Sequence, residues 1–327
     1  MVMLSEQLTC GRAVRARGIA AAPRRRAPVV AARASAKRQQ VPRRSVSGSA
    51  ERRGERVKVR AASAAPPAAV PPPQVFQSAC STSMAKAKYS WDKTLVLGFL
   101  AGSLIGIGAL LCSVVAGSSP TLAANNPGLS SFVKGAIGLP AGLAMVILTG
   151  AELFTGNVFI MLSGLLTGKV NLADVCKSWF WSFNGNFAGS LFVAAMAFLA
   201  QTTSSEALTA SVAKVAVAKV SMGFTTLFAK GVLCNWLVCL AVWMAMASNS
   251  IPGKLLSIFI PISTFVTLGF EHSVANMFLI SQGMLAGADV TTKQFLLNNM
   301  LPVTLGNIVG GGIFVAFAHY YAYGRGN

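Results

Sequence analysis

The sequence predicts an all-α polytopic membrane protein. Its six transmembrane helices form an inverted repeat of three and three, with the second and fifth helices broken. Three observations carry this. From about residue 95 the chain is a succession of apolar stretches close to the roughly 20 residues that a bilayer core demands. Two of these stretches carry the same interruption. Gly150-Ala151-Glu152-Leu153-Phe154-Thr155-Gly156-Asn157 recurs 119 positions later as Gly269-Phe270-Glu271-His272-Ser273-Val274-Ala275-Asn276, and both read G-x-E-x-x-x-x-N. A second motif, Gly185-Asn186-x-x-Gly189, returns as Gly306-Asn307-x-x-Gly310 at an offset of 121. An odd number of spans per copy turns the second copy over in the membrane, so both interruptions meet near the midplane, where transport sites of such repeats lie.

Taken in order, the chain opens on a segment with no apolar periodicity. Residues 1–60 hold fourteen Arg and two Lys against Glu6, Glu51 and Glu55, which places +13 of the overall +19 there. Too little apolar surface is present to fold. Arg- and Ser-rich, acid-poor composition is that of an organellar transit peptide, and Val59-Arg60-Ala61-Ala62 resembles a plastid processing pattern. A nucleic-acid-binding arm does not suit a polytopic membrane domain. The expected organisation is a disordered plastid transit peptide over 1–61, an Ala/Pro-rich extended linker over 62–80 and a six-helix domain over 81–327. Residues 78–94 place Lys86, Lys88 and Lys93 beside Tyr89 and Trp91, a composition for the membrane surface.

The first span, 95–116, spaces Gly98, Gly102 and Gly106 four apart, a face for close helix packing. The second starts near 132, breaks at 150–157 and resumes over 158–166, too short to span alone. The third and fourth cover 178–200 and 222–247. The fifth begins near 255, breaks at 269–273 and resumes over 274–285, and the sixth covers 301–321. Lys86, Lys88, Lys93, Lys169, Lys177, Lys254 and Arg325 fall on one side, and Lys134, Lys214, Lys219 and Lys293 on the other. The excess puts both termini on the cytoplasm-like side, the stroma in a plastid.

Ionisable residues inside a membrane helix are expensive enough to mark a site. His272 is the sharpest such signal: in a pore its charge would respond to cargo and to pH. The competing reading is a buried imidazole bonded to backbone. Glu152 and Glu271, as carboxylates, would repel an anion, so they are expected to pin the breaks by accepting bonds from freed backbone or hydroxyl donors. Thr155 lies in the break opposite His272, where its hydroxyl bonds either the imidazole, cargo or local backbone. Asn157, Asn276, Asn186 and Asn307 recur in pairs and suit scaffolding of interrupted backbone. Lys214 and Lys219 precede the fourth span and would concentrate anions at one mouth, with Lys230 snorkelling to the same vestibule, or serve as solubilising charge. Asn235 sits mid-span and needs a partner.

Enzymatic chemistry finds no support, since H-E-x-x-H, G-x-S-x-G, a P-loop and paired intramembrane Asp residues are all missing. With only His272 and His319, a histidine metal site is improbable, and no metal or cofactor is expected. The six scattered cysteines show neither a disulfide framework nor a zinc spacing.

The chain resembles the formate/nitrite transporter family. The resemblance rests on Leu139-Pro140-x-Gly142-Leu143, on Ala151-Glu152-Leu153-Phe154-Thr155-Gly156-Asn157 and on Cys234-Asn235-Trp236-Leu237-Val238-Cys239. Phe270-Glu271-His272-Ser273-Val274-Ala275-Asn276-Met277 and Pro302-Val303-Thr304-Leu305-Gly306-Asn307 complete it. It extends over 95–322, with nothing before about residue 80. It implies an aquaporin-like protomer within a homopentamer in membrane lipid, each protomer passing small monoanions such as nitrite, bicarbonate, formate or hydrosulfide. It also implies His272 facing Thr155 at the pore centre. Apolar constrictions are then expected at Leu153 with Phe265 on one side of that centre and at Leu139 on the other, with Phe154 among the constricting residues. Polar path positions match Lys219, Asn235 and Asn307. With the presequence, the chain resembles green-algal members of the chloroplast envelope, here its inner membrane, carrying nitrite first and bicarbonate close behind. The alternative of another class is a channel for neutral small solutes.

Overall fold

The computed structural model describes residues 69–325. The described chain forms eleven helices: α1 Pro72–Ala87, α2 Trp91–Gly117, α3 Pro120–Asn125, α4 Pro127–Thr149, α5 Phe154–Leu166, α6 Leu172–Leu199, α7 Glu206–Val220, α8 Phe224–Ala247, α9 Ile251–Thr267, α10 Ser273–Leu285 and α11 Gln294–Tyr323. Two π-helical stretches, Gln294–Met300 and Gly312–Phe317, lie within α11. Among the described residues the only extended pairing is a single bridge between Ala69 and Ser248.

Five helices are individually long and apolar enough to cross a membrane: α2, α4, α6, α8 and α11. The remaining crossing is shared by α9 and α10, as α4 is continued by α5. Both interruptions are built the same way. The helix before the break ends on a glycine in the left-handed region, Gly150 at φ 73° and Gly269 at φ 68°. Nothing lies within 4 Å of a Cβ built at either position, so the backbone conformation, not space, demands glycine there. The breaks are shorter than the sequence suggests, because α5 already starts at Phe154 and α10 at Ser273.

Close helix approach places these breaks. Gly98 and Gly102 of α2 press on the backbone of α6 around Ser182, Gly185 and Asn186, and any Cβ at Gly102 would collide with the Asn186 carbonyl. The second repeat does the same with Gly306 and Gly310 of α11 against Phe228 and Val232 of α8. Without a hydrophobic drive between helices in lipid, such small-residue faces hold them together.

Three helices were not anticipated, and the first of them corrects an expectation. The linker expected over 62–80 is helical from Pro72 onward. Pro72 and Pro73 occupy the first helical turn, where a missing N–H removes no intrahelical bond. Val75, Phe76, Ala79, Cys80 and Ser83 then recur at helical spacing and are buried, and Cys80 Sγ reaches the Ser163 carbonyl of α5 at 3.6 Å. The proline run therefore starts a packed helix. The helices α3 and α7 also escaped the sequence reading, α7 being only weakly apolar. The presequence reading over 1–61 lies outside the described residues.

Candidate functional site

The N-termini of the half-helices α5 and α10 meet inside the bundle. His272 caps α10: its Nδ1 accepts the Ala275 N–H at 3.1 Å. A ring nitrogen that accepts carries no proton, so the proton sits on Nε2, which donates to Thr155 Oγ1 at 2.8 Å. His272 is 4% exposed and Thr155 fully buried. The two breaks are thus joined by one side-chain hydrogen bond.

Around that bond the two repeats build matching frames. Asn186 Oδ1 accepts the first N–H of α5, from Phe154, at 2.8 Å, and Asn307 Oδ1 accepts that of α10, from Ser273, at 2.9 Å. Asn186 Nδ2 donates to the carbonyls of Gly98 and Glu152, and Asn307 Nδ2 to those of Gly231 and Glu271. Each asparagine thereby holds both sides of its break, satisfying backbone groups that lipid could not. Asn235 is buried and ties the assembly across the middle, donating to the carbonyls of Asn307 at 2.7 Å and Thr155 at 3.2 Å.

The donors to the glutamates differ from those expected. Glu152 pairs with Lys86 of α1 and accepts Asn157 Nδ2 at 2.8 Å. Glu271 pairs with Lys219 of α7 at 2.9 and 3.1 Å and accepts Asn276 Nδ2 at 2.6 Å. A buried carboxylate needs a full counter-charge, which an ammonium supplies and a backbone or hydroxyl donor does not. Lys219 accordingly lines a vestibule as half of an ion pair. Lys86, read as a surface residue, is its equivalent in the first repeat. Asn276 Nδ2 also donates to Asn299 Oδ1, and Asn299 Nδ2 to the Lys219 carbonyl.

A chain of three cavities runs past His272. The central one, about 10 Å³ and room for roughly one water, is walled by Ile105, Leu139, Leu143, Leu153, Val238, Ile262, Phe265 and His272. On one side lies a vestibule of about 140 Å³ lined by Lys134, Lys219, Glu271 and Cys112 among others. On the other side is a vestibule of about 190 Å³ lined by Thr82, Lys86 and Asn157. Leu139, Phe265 and His272 border both the centre and the Lys219-side vestibule, whereas Leu143 and Leu153 border both the centre and the Lys86-side vestibule. The apolar necks are therefore Leu139 with Phe265 and Leu143 with Leu153, not Leu153 with Phe265 against Leu139.

Three other assignments are corrected. The Phe154 ring packs edge-on against Trp179 and Phe183 of α6, away from the central cavity. Lys230 stays out of the vestibule lining: its Nζ contacts Met222 Sδ at 3.6 Å, and its carbonyl takes the Glu271 N–H. Asn235 and Asn307 are fully buried in the frame and line none of the three cavities. Leu143 was missed, although it lies one helical turn after Leu139 and hence on its face. Among the described residues no group of three His, Cys, Asp or Glu could hold a metal ion.

A family model described as formate/nitrite transporter matches residues 73–321, so the match includes α1. A probable formate transporter of Methanothermobacter thermautotrophicus is 44% identical over 263 residues, covering 75% of this chain and 94% of its own. Among solved structures, one described as an FNT family ion channel superposes with a TM-score of 0.69 at 30% identity, covering 76% of this chain and 98% of the other. A pentameric formate channel with formate bound superposes with a TM-score of 0.62 at 30% identity, covering 72% and 98%.

Proposed function

Because the chain belongs to the formate/nitrite transporter family, we propose that each protomer is a membrane channel for small monovalent anions. Nitrite is its foremost cargo, bicarbonate comes next, and the protein assembles as a homopentamer in the inner chloroplast envelope. One observation carries the transport reading: His272 is the sole polar residue walling an otherwise apolar cavity between two lysine-bearing vestibules. A bare anion loses hydration in such a neck and needs a donor or a positive charge. On the Lys219 side the vestibule ammonium groups gather anions, and the leucine–phenylalanine and leucine–leucine necks exclude bulk water. At the centre the His272 ring, hydrogen-bonded to Thr155, offers the only polar partner. A second proton can enter the ring only at Nδ1, in place of the Ala275 N–H bond; the imidazolium then either holds the anion as an ion pair or returns that proton to it. In the second case the neutral acid crosses, and the neutral ring is restored.

Formate is the second reading, favoured by the names of the relative and the structure above. The envelope assignment rests on the basic, acid-poor residues 1–60 and Val59-Arg60-Ala61-Ala62. The test is flux into liposomes holding the full chain. Nitrite, bicarbonate and formate are expected to permeate while glycerol does not, and their relative rates rank the cargo. Glycerol passage without anion flux would replace this reading with a neutral-solute channel.

A further inference from the structure

The charge pairs of the two repeats match so closely that one mismatch stands out. Lys134 of α4 lines the Lys219-side vestibule and is half-buried. Among the described residues its Nζ makes neither an ion pair nor a hydrogen bond. It lies within electrostatic range of Lys219, whose own ammonium is held by Glu271. This vestibule therefore gathers two ammonium groups around one carboxylate, an excess of one positive charge. The opposite vestibule is lined by Lys86, which Glu152 neutralises. There the repeat offers no counterpart to Lys134. The 119-residue offset lands on Gly253, and the adjacent Lys254 donates to the Ala245 carbonyl at 2.9 Å without lining the cavity.

The backbone at Lys134 is fixed. Cys112 Sγ of α2 lies 3.3 Å from the Lys134 carbonyl, and the next helical turn of α4 supplies Leu139 to the neck. A volume of about 140 Å³ admits a small anion with a few waters, since a water occupies roughly 30 Å³ of liquid. His272 borders this vestibule itself, beside Leu139 and Phe265, and does not border the other.

We propose that the corner of the vestibule between Lys134 and Lys219 is a binding site for a small monovalent anion, outside the neck, which makes uptake from that face of the membrane tighter than from the other. This rests on the transport reading above. The test uses the full chain in liposomes of uniform orientation, with formate and nitrite each offered to one face at a time. In Lys134→Gln the half-saturating concentration should rise about 5-fold on the Lys134 face, the scale of one partly screened charge at a few ångströms. From the opposite face it should change less than about 2-fold on the same grounds, which also reports an intact fold. Lys134→Arg should keep the unaltered values. In the unaltered chain, an impermeant salt should weaken uptake more steeply from the Lys134 face. A half-saturation in Lys134→Gln that stays put, or that rises equally from both faces, overturns the site and leaves the transport reading standing. An unaltered chain that passes neither anion overturns both.

Discussion

At the scale of single residues, His272 has two separable jobs. Its Nδ1 caps α10 through the Ala275 N–H, and its Nε2–H reaches Thr155. Asparagine also caps helices well, so His272→Asn should preserve assembly while removing the titratable ring. The expected outcome is altered anion selectivity and a flattened dependence of flux on pH. His272→Phe, with no cap and a bulky apolar ring, should close the neck. If His272→Asn keeps the unaltered rate and pH profile in liposomes, the ring acts only as a cap. The sequence marked His272 because an imidazole inside an apolar repeat is conspicuous. It could not show which apolar residues face one another, because Leu139 and Leu143 lie on α4, Leu153 at the first break and Phe265 on α9, and only packing brings them together. That is why Leu143 went unseen and Phe154 was placed in the neck.

At the scale of elements, each half-helix depends on a helix outside the six spans. Glu152 at the first break is 2% exposed and its counter-charge, Lys86, comes from α1, as Lys219 of α7 serves Glu271. Removing one member of a buried pair leaves the other charge unpaired, a loss of about 3–5 kcal/mol. Lys86→Met should therefore lower the melting temperature sharply, and adding Glu152→Gln, which still accepts from Asn157, should recover most of it. A Lys86→Met chain that melts like the unaltered protein would show that the pair contributes nothing. The six crossings were legible from length and the repeated G-x-E-x-x-x-x-N. The helices α1 and α7 were not, because α1 hides behind a proline run and α7 carries little apolar contrast.

For the molecule as a whole, the inverted three-plus-three plan was legible because both motifs repeat at nearly one offset. Two matching frames of asparagine and glutamate then hold the breaks in place. What the repeat could not reveal is that α1 belongs to the folded body. The Val70 N–H is bonded to the Ala247 carbonyl at 2.7 Å, the Phe76 ring lies 6.5 Å from that of Tyr320, and Lys86 reaches the first break. These contacts tie the described chain from Val70 onward to the pore helices, so a cut through α1 would strip the first break of its counter-charge. A chain beginning at Val70 is expected to melt and conduct like the full one. A chain beginning at Lys88, which keeps all six crossings, should be recovered in poor yield and lose conduction, and equal behaviour of the two would show that the body begins at α2.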